Sequence, residues 1–240
     1  MNSHDNYRKW KDWRAETFGE YSREDAVYFS SELKRAGYNN VHGLRILEIG
    51  FGHGSFAGFV VSQGAAYIGI EIDARQVAVA TARGYVATIQ ALPEFAKHEH
   101  SGIDLIVAFD VLEHLTLLEL HQTLDATKSL LRPAGRLLAR MPSGDSPFGR
   151  AIFYGDLTHR ITLGSSAVEQ IAAEHEFEVC YIAKPSLPLL GNGIFKFWRR
   201  LLLSTIQHAV TSLLNILYHE GRPKILTSNL VFVLKKKSDA

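Results

Sequence analysis

ILEIGFGHGSF, residues 46–56, decides the fold. The apolar run 44–49, rich in Ile and Leu and bounded by glycines, reads as a buried strand. Gly50, Gly52 and Gly54 follow it directly, and Phe56, Phe59 and Val60 then recur at helical spacing. A strand that turns through glycines into a helix opens a parallel α/β sheet, and its turn lies at the carboxyl edge, where such sheets bind ligands. Glycines let the backbone approach a ligand, and the helix offers unpaired N–H groups. The spacing is G-x-G-x-G rather than the dinucleotide pattern G-x-G-x-x-G, with Ser55 where the third glycine would stand.

Outward from this unit the alternation continues. Strands are expected at 67–72, 85–89, 103–109, 136–141, 177–183 and 229–235. Helices are expected at 74–83, at 117–131 and from about Ser165, and a Gly/Pro/Ser-rich stretch covers 142–164. The order predicts an α/β, doubly wound parallel sheet with helices on both faces. Residues 1–40, read as helical and carrying Trp10, Trp13, Phe18, Tyr21, Tyr28 and Phe29, form an N-terminal lid on a 41–240 domain. Glu71 ends the second strand, twenty-one residues after Gly50, where a carboxylate accepts hydrogen bonds from both hydroxyls of a ribose. Loop and acid together indicate an adenosine-containing ligand.

Composition narrows the class. Of 240 residues, 46% are hydrophobic and 21% charged, which excludes a disordered, collagen-like or coiled-coil chain. Cys180 is the single cysteine and has no partner for an internal disulfide, and no Cys/His spacing resembles a zinc site. The start MNSHDNYRKWKDW lacks the apolar core of a signal peptide, so a cytoplasmic location is expected. A net charge of +1 gives no general attraction to nucleic acid. The charge is uneven: residues 186–240 hold eight Lys or Arg against Glu220 and Asp239, a balance of +6 that leaves −5 on residues 1–185.

Four blocks carry a resemblance: Glu48-x-Gly50-x-Gly52-x-Gly54, IGIEID, DLIVAFDVLEHL and LLRPAGRLL. In this order and spacing, over about residues 44–140, the chain resembles class I S-adenosylmethionine-dependent methyltransferases. The resemblance implies a Rossmann-like sheet of seven strands, mostly parallel with the last antiparallel, and S-adenosylmethionine as cofactor, with Glu48 among its binding residues, the Gly50–Gly54 loop at its amino-acid part and Glu71 on the ribose. It also implies Ile72 beside the adenine and Asp110 near the methionine end. Where the family often places an acid for the adenine amino group, this chain has Gln90, whose side-chain oxygen still accepts a hydrogen bond. Ala91 offers only its backbone there.

For the chemistry, methyl transfer to a hydroxyl benefits from a nearby base, and His is the natural one at neutral pH. His159, in GDLTHRITL, is the first candidate, with Asp156 three residues before it as an orienting carboxylate; His114, beside Glu113, is the second. Arg150, Tyr154, Asp156 and Arg160 are expected to face the acceptor, and no metal site is expected.

Between the sixth and seventh strands, 186–224 is an insertion with an amphipathic helix. Residues 201–218 hold no charge, but seven of these eighteen are polar, which argues against a membrane span. The helix is expected to cover its own domain, to pair two copies of the chain through 194–218, or to lie on the inner face of a membrane. WKDWRAETFGEY, GDLTHRIT and the insertion before SNLVFVLKKK are similar to bacterial methyltransferases of cell-surface polysaccharide (O-antigen or capsule) pathways. That likeness implies O-methylation of a sugar. A small-molecule acceptor such as a quinone precursor, or a non-catalytic partner subunit that binds the cofactor, stay open beside it.

Overall fold

A computed structural model describes residues 15–99, 102–187, 194–219 and 223–237. The lid's Trp10 and Trp13 lie outside the described residues. The strands are β1 (Arg45–Ile49), β2 (Ala66–Glu71), β3 (Ala87–Ile89), β4 (Ile103–Phe109), β5 (Leu131–Pro142), β6 (Phe177–Ala183) and β7 (Asn229–Lys236). They form one seven-stranded sheet in the order β3-β2-β1-β4-β5-β7-β6. β1 to β5 run parallel, and β7 is antiparallel to both β5 and β6. The expected architecture is therefore the observed one.

The helices are α1 (Arg23–Arg35), α2 (Ser55–Ser62), α3 (Ala74–Ala82), α4 (Leu92–Phe95), α5 (Leu117–Leu130), α6 (Arg150–Phe153), α7 (Ser165–Glu174) and α8 (Ile194–Tyr218). Buried strands alternate their side chains between two cores. Leu47, Ile106, Leu137 and Phe232 pack on one face with α5 and α7, and Ile46, Leu105, Leu138 and Val233 on the other with α1 and α2. α1 belongs to this second core through Phe29 and Leu33.

Three expected elements differ in detail. The N-terminal segment is not one helix: a 3₁₀ turn at Ala15–Thr17 is cut from α1 by Gly19 at φ 82°. Ser22 then starts α1 with a capping box to Asp25. The third strand is short: the Tyr85 N–H donates to the Ala80 carbonyl at 3.0 Å, at the end of α3, and its ring packs on Phe18. The fifth strand starts five residues early: Leu131 pairs with Ile103, the register shifts across Pro133–Gly135, and Arg136 resumes opposite Leu105. Ala134, at φ 61°, absorbs that excursion.

Residues 15–20 clasp the turn after β1. Phe18 is buried and meets Phe51 and Tyr85 edge-on at 5.8 and 5.4 Å. Gly19 donates to the His53 carbonyl at 3.0 Å, and the Ser55 hydroxyl donates to the Glu20 carbonyl at 2.9 Å. Ser55, in the place of the third glycine, thus ties the two segments together. The approach is closest at Gly58 of α2, where a Cβ would stand 1.8 Å from the Gly19 carbonyl oxygen. Backbone cannot rotate aside as a side chain does, so Gly58→Ala should cost about 1–3 kcal/mol in urea unfolding and expose residues 15–20 to protease. Unchanged stability and cleavage would show that the clasp is not held there.

Candidate active site

The chain winds outward from β1 toward β3 on one side and from β4 toward β5 on the other. The crevice for a ligand therefore opens between the tips of β1 and β4, where the winding reverses. Of the residues singled out in sequence, Gly50, Gly52, Gly54, Ile72, Gln90, Ala91 and Asp110 follow the carboxyl ends of β1, β2, β3 and β4, and Glu71 closes β2.

Gly50, Gly52 and Gly54 all take left-handed φ values, 66°, 53° and 79°. Side chains are excluded by space as well: a Cβ on Gly50 would meet Val111 at 2.6 Å, and one on Gly54 the Phe18 ring at 2.5 Å. The turn consequently presents bare backbone to the crevice.

Glu71 is 9% exposed and folds onto this turn. One carboxylate oxygen accepts the N–H groups of Ile72 at 2.7 Å and Asp73 at 3.3 Å, and the other accepts that of Gly52 at 3.3 Å. Burial raises its pKa against the pull of these three donors. Ile72 beside it is an exposed apolar side chain. Glu48 points away, into the core, where it accepts the Tyr67 hydroxyl at 2.7 Å.

Asp110, at the tip of β4, has φ 56°, a conformation an aspartate tolerates better than most residues. Both its oxygens accept from Arg140 of β5, one from Nε at 2.8 Å and the other from Nη2. The guanidinium lies over the rings of Tyr28 and Phe109 at 5.2 and 5.3 Å. This fork holds the β4 tip and sends the chain into a 3₁₀ turn, Leu112–His114.

The two candidate histidines meet just beyond that tip, with ring centroids 4.8 Å apart. Asp156 is buried; one of its oxygens accepts the Thr158 N–H at 2.9 Å and the Thr158 hydroxyl at 2.6 Å. The Thr158 oxygen lies 2.9 Å from His114 Nδ1. With the hydroxyl proton directed to Asp156, that oxygen accepts from His114 Nδ1–H and leaves the lone pair on Nε2. Burial raises the pKa of Asp156, but its two Thr158 bonds and the neighbouring histidines outweigh it and hold the carboxyl low.

His159 is more enclosed, with 7% of its side chain exposed. Its Nδ1 donates to the Phe153 carbonyl at 3.0 Å, and its Nε2 lies 3.9 Å from Glu113 and 3.8 Å from Asp156. The carboxylate expected from sequence is there, joined by Glu113. Donor atoms of Glu113, His114 and His159 all lie within 4.8 Å of one another, so among the described residues these three could hold a cation.

Of the four acceptor-facing candidates, Arg150, Tyr154 and Arg160 are exposed and Asp156 is internal. Arg150 lies over the Tyr154 ring at 5.6 Å, and Arg160 stands 3.9 Å from Glu119. Thr158 carries no signal of its own in the sequence, and Phe18 stands there only as one aromatic of the N-terminal segment. Thr158 stands inside GDLTHRIT, where only its distance in space from His114 reveals its part.

Residues 3–181 match the family described as "Methyltransferase domain". No curated protein matches the chain. Among solved structures it is similar to a SAM-dependent methyltransferase from Archaeoglobus fulgidus, with 17% identity and TM-score 0.65, covering 98% of this chain and 100% of that one. A TehB-like SAM-dependent methyltransferase from Corynebacterium glutamicum gives 16% identity and TM-score 0.60 over 98% and 100%. The Burkholderia thailandensis 1,6-didemethyltoxoflavin-N1-methyltransferase, bound to its acceptor and S-adenosylhomocysteine, gives 14% and 0.58 over 98% and 84%.

The enclosure of Glu48 has a measurable consequence. Burial first, opposed by the Tyr67 hydroxyl and reinforced by Glu71, pushes its pKa from 4.5 up to about 8. A raised folded-state pKa means that the folded protein holds the proton more tightly than the unfolded chain. That advantage is complete below about pH 4.5 and is lost as pH rises through about 8. Glu48→Gln keeps the acceptor for Tyr67 and cannot ionise, so its melting temperature relative to wild type should climb between about pH 5 and about pH 9. A difference independent of pH would contradict a protonated Glu48.

Proposed function

The chain belongs to the methyltransferase-domain family, and on that premise we propose that it transfers the methyl group of S-adenosylmethionine to a hydroxyl of a sugar in a surface-polysaccharide pathway. The observation that carries this reading is the placement, around one crevice, of a carboxylate suited to a ribose and an imidazole oriented by a relay.

The residues fit the cofactor. Glu71 has acceptor capacity beyond its three backbone bonds, and the glycine turn leaves its backbone open to close approach. Ile72 gives an apolar face for the adenine and Gln90 an acceptor for its amino group. Glu71, Gly52 and Asp110 would hold the cofactor from ribose to methionine end. When bound, S-adenosylmethionine would supply an electrophilic methyl on a sulfonium. The protein's task is to hold the acceptor oxygen in line for transfer and to take the hydroxyl proton. His114 Nε2 would accept that proton from the acceptor hydroxyl. Asp156 and Thr158 orient the ring, and His159, braced by Glu113 and Phe153, positions it. Arg150, Tyr154 and Arg160 contact the acceptor.

A hydroxyl acceptor suits this arrangement because a base strengthens its weakly nucleophilic oxygen, whereas a neutral amine attacks well without first losing a proton. A second reading keeps the reaction and exchanges the sugar for a small apolar acceptor such as a quinone precursor. Its support is the exposed Phe148, Ile152 and Leu157 in the same loop region.

Incubation with methyl-labelled cofactor and glycan or quinone-precursor acceptors tests the choice: label in sugars released by acid hydrolysis is expected, and label only in the quinone precursor would favour the second reading. Glu71→Ala should weaken binding of S-adenosylhomocysteine at least tenfold by calorimetry; unchanged affinity would remove Glu71 from the site. Thr158→Val and His114→Ala should lower kcat by about 10²–10⁴ for the histidine, and less for the threonine, with cofactor affinity kept. Equal turnover in wild type and His114→Ala would exclude it as the base.

A further inference from the structure

α8 turns most of its apolar side chains to solvent. Ser204, Thr211, Ser212 and Asn215 are half-buried together with Phe197, Leu201 and Leu214, and no described residue of the helix is buried. Phe195, Trp198, Leu202, Ile206, Leu213 and Ile216 follow one another at three-, four- and seven-residue steps on the outer face, each 51–81% exposed. A soluble chain normally does the reverse, and an apolar stripe running the ~37 Å of a 25-residue helix marks a contact surface.

The helix lies along the protein rather than leaving it. At one end Arg200 donates to Glu24 of α1 at 2.7 Å. At the other, Asn215 exchanges two bonds with the backbone of Lys224, at 2.7 and 3.1 Å, and Lys224 reaches Ser166 of α7 at 2.7 Å. Tied to the domain near both ends, the helix lies beside it, although Phe197–Tyr218 is long and apolar enough to cross a bilayer.

Charge selects the occupant. Residues 194–218 contain Lys196, Arg199 and Arg200 and no Asp or Glu. Arg199 is exposed and lies at the edge of the apolar arc. In a two-fold pairing through this face, the same helix of a second copy would offer that guanidinium no carboxylate, so burying it would be costly. At an anionic lipid surface the arginine extends to a phosphate while its stem stays among apolar groups. Trp198 and Tyr218 stand near the two ends, both exposed, as side chains that favour the headgroup level do.

We propose that α8 is an interfacial anchor that docks the protein flat on an anionic lipid surface through the Phe195–Ile216 stripe. The proposal is independent of the acceptor and of the reaction. Flotation with vesicles of phosphatidylcholine alone, and of phosphatidylcholine and phosphatidylglycerol in equal parts, tests it on the full chain. Wild type should float with the mixed vesicles and much less with phosphatidylcholine alone. The double variant L202S/L213S and the single variant R199E should each lose binding on the order of tenfold while keeping the wild-type melting temperature and affinity for S-adenosylhomocysteine. Because these side chains are exposed, the variants should fold; R199E alone, which leaves the stripe intact, keeps the test decisive if L202S/L213S does not. Failure of wild type to float, or equal flotation of wild type and R199E, would overturn the proposal. So would a dimer in light scattering that L202S/L213S splits while vesicle binding is absent.

Discussion

The site depends on one constraint, a chain turn after β1 that leaves no room for a side chain at Gly50 or Gly54. Gly50 must clear Val111, which follows the tip of β4, and Gly54 must clear Phe18 of the N-terminal segment. The same three glycines occupy backbone conformations that other residues adopt only under strain. β1, β4 and the N-terminal clasp therefore converge on this turn. It keeps the amide of Gly52 within reach of Glu71 at the end of β2. The crevice is built around bare backbone, which suits a ligand bound by hydrogen bonds and close contact.

A second constraint lies across the crevice. Arg140 grips Asp110 from the neighbouring strand while stacked on Tyr28 and Phe109, which belong to α1 and β4. The fork fixes the end of β4, and the 3₁₀ turn that follows carries Glu113 and His114 to the 150–164 loop. There the carbonyl of Glu113 accepts the N–H groups of Arg160 at 2.7 Å and of Ile161 at 3.2 Å. The two histidines, forty-five residues apart in sequence, are held side by side, with their ring planes tilted by 60°, by backbone as well as by side chains. Asp110 thus acts on the site through the protein's own scaffold, whatever it contributes to a ligand.

The parallel sheet was legible because buried strands are short apolar runs separated by helix-length intervals, and the turn was legible because its glycines are consecutive alternates. Glu71 was legible from its distance to that turn. Local patterns could not reveal contacts between distant segments. Phe18 reads as one aromatic among several until the fold places it on Gly54. Thr158 reads as a loop hydroxyl until it is found between Asp156 and His114. The early start of β5 was hidden because Pro133 and Gly135 ordinarily end a segment, and here they form an excursion inside a strand. The amphipathic character of α8 was plain from spacing, but not that its apolar face turns outward, since periodicity shows that two faces exist and not which one meets the domain.

In the proposed function the crevice between β1 and β4 binds S-adenosylmethionine with its reactive end toward His114. A crystal structure of the complex with S-adenosylhomocysteine tests this most directly. Both ribose hydroxyls should lie on the Glu71 carboxylate and the sulfur should face the 110–114 turn. An adenosine bound elsewhere, or a ribose that leaves Glu71 untouched, would contradict it.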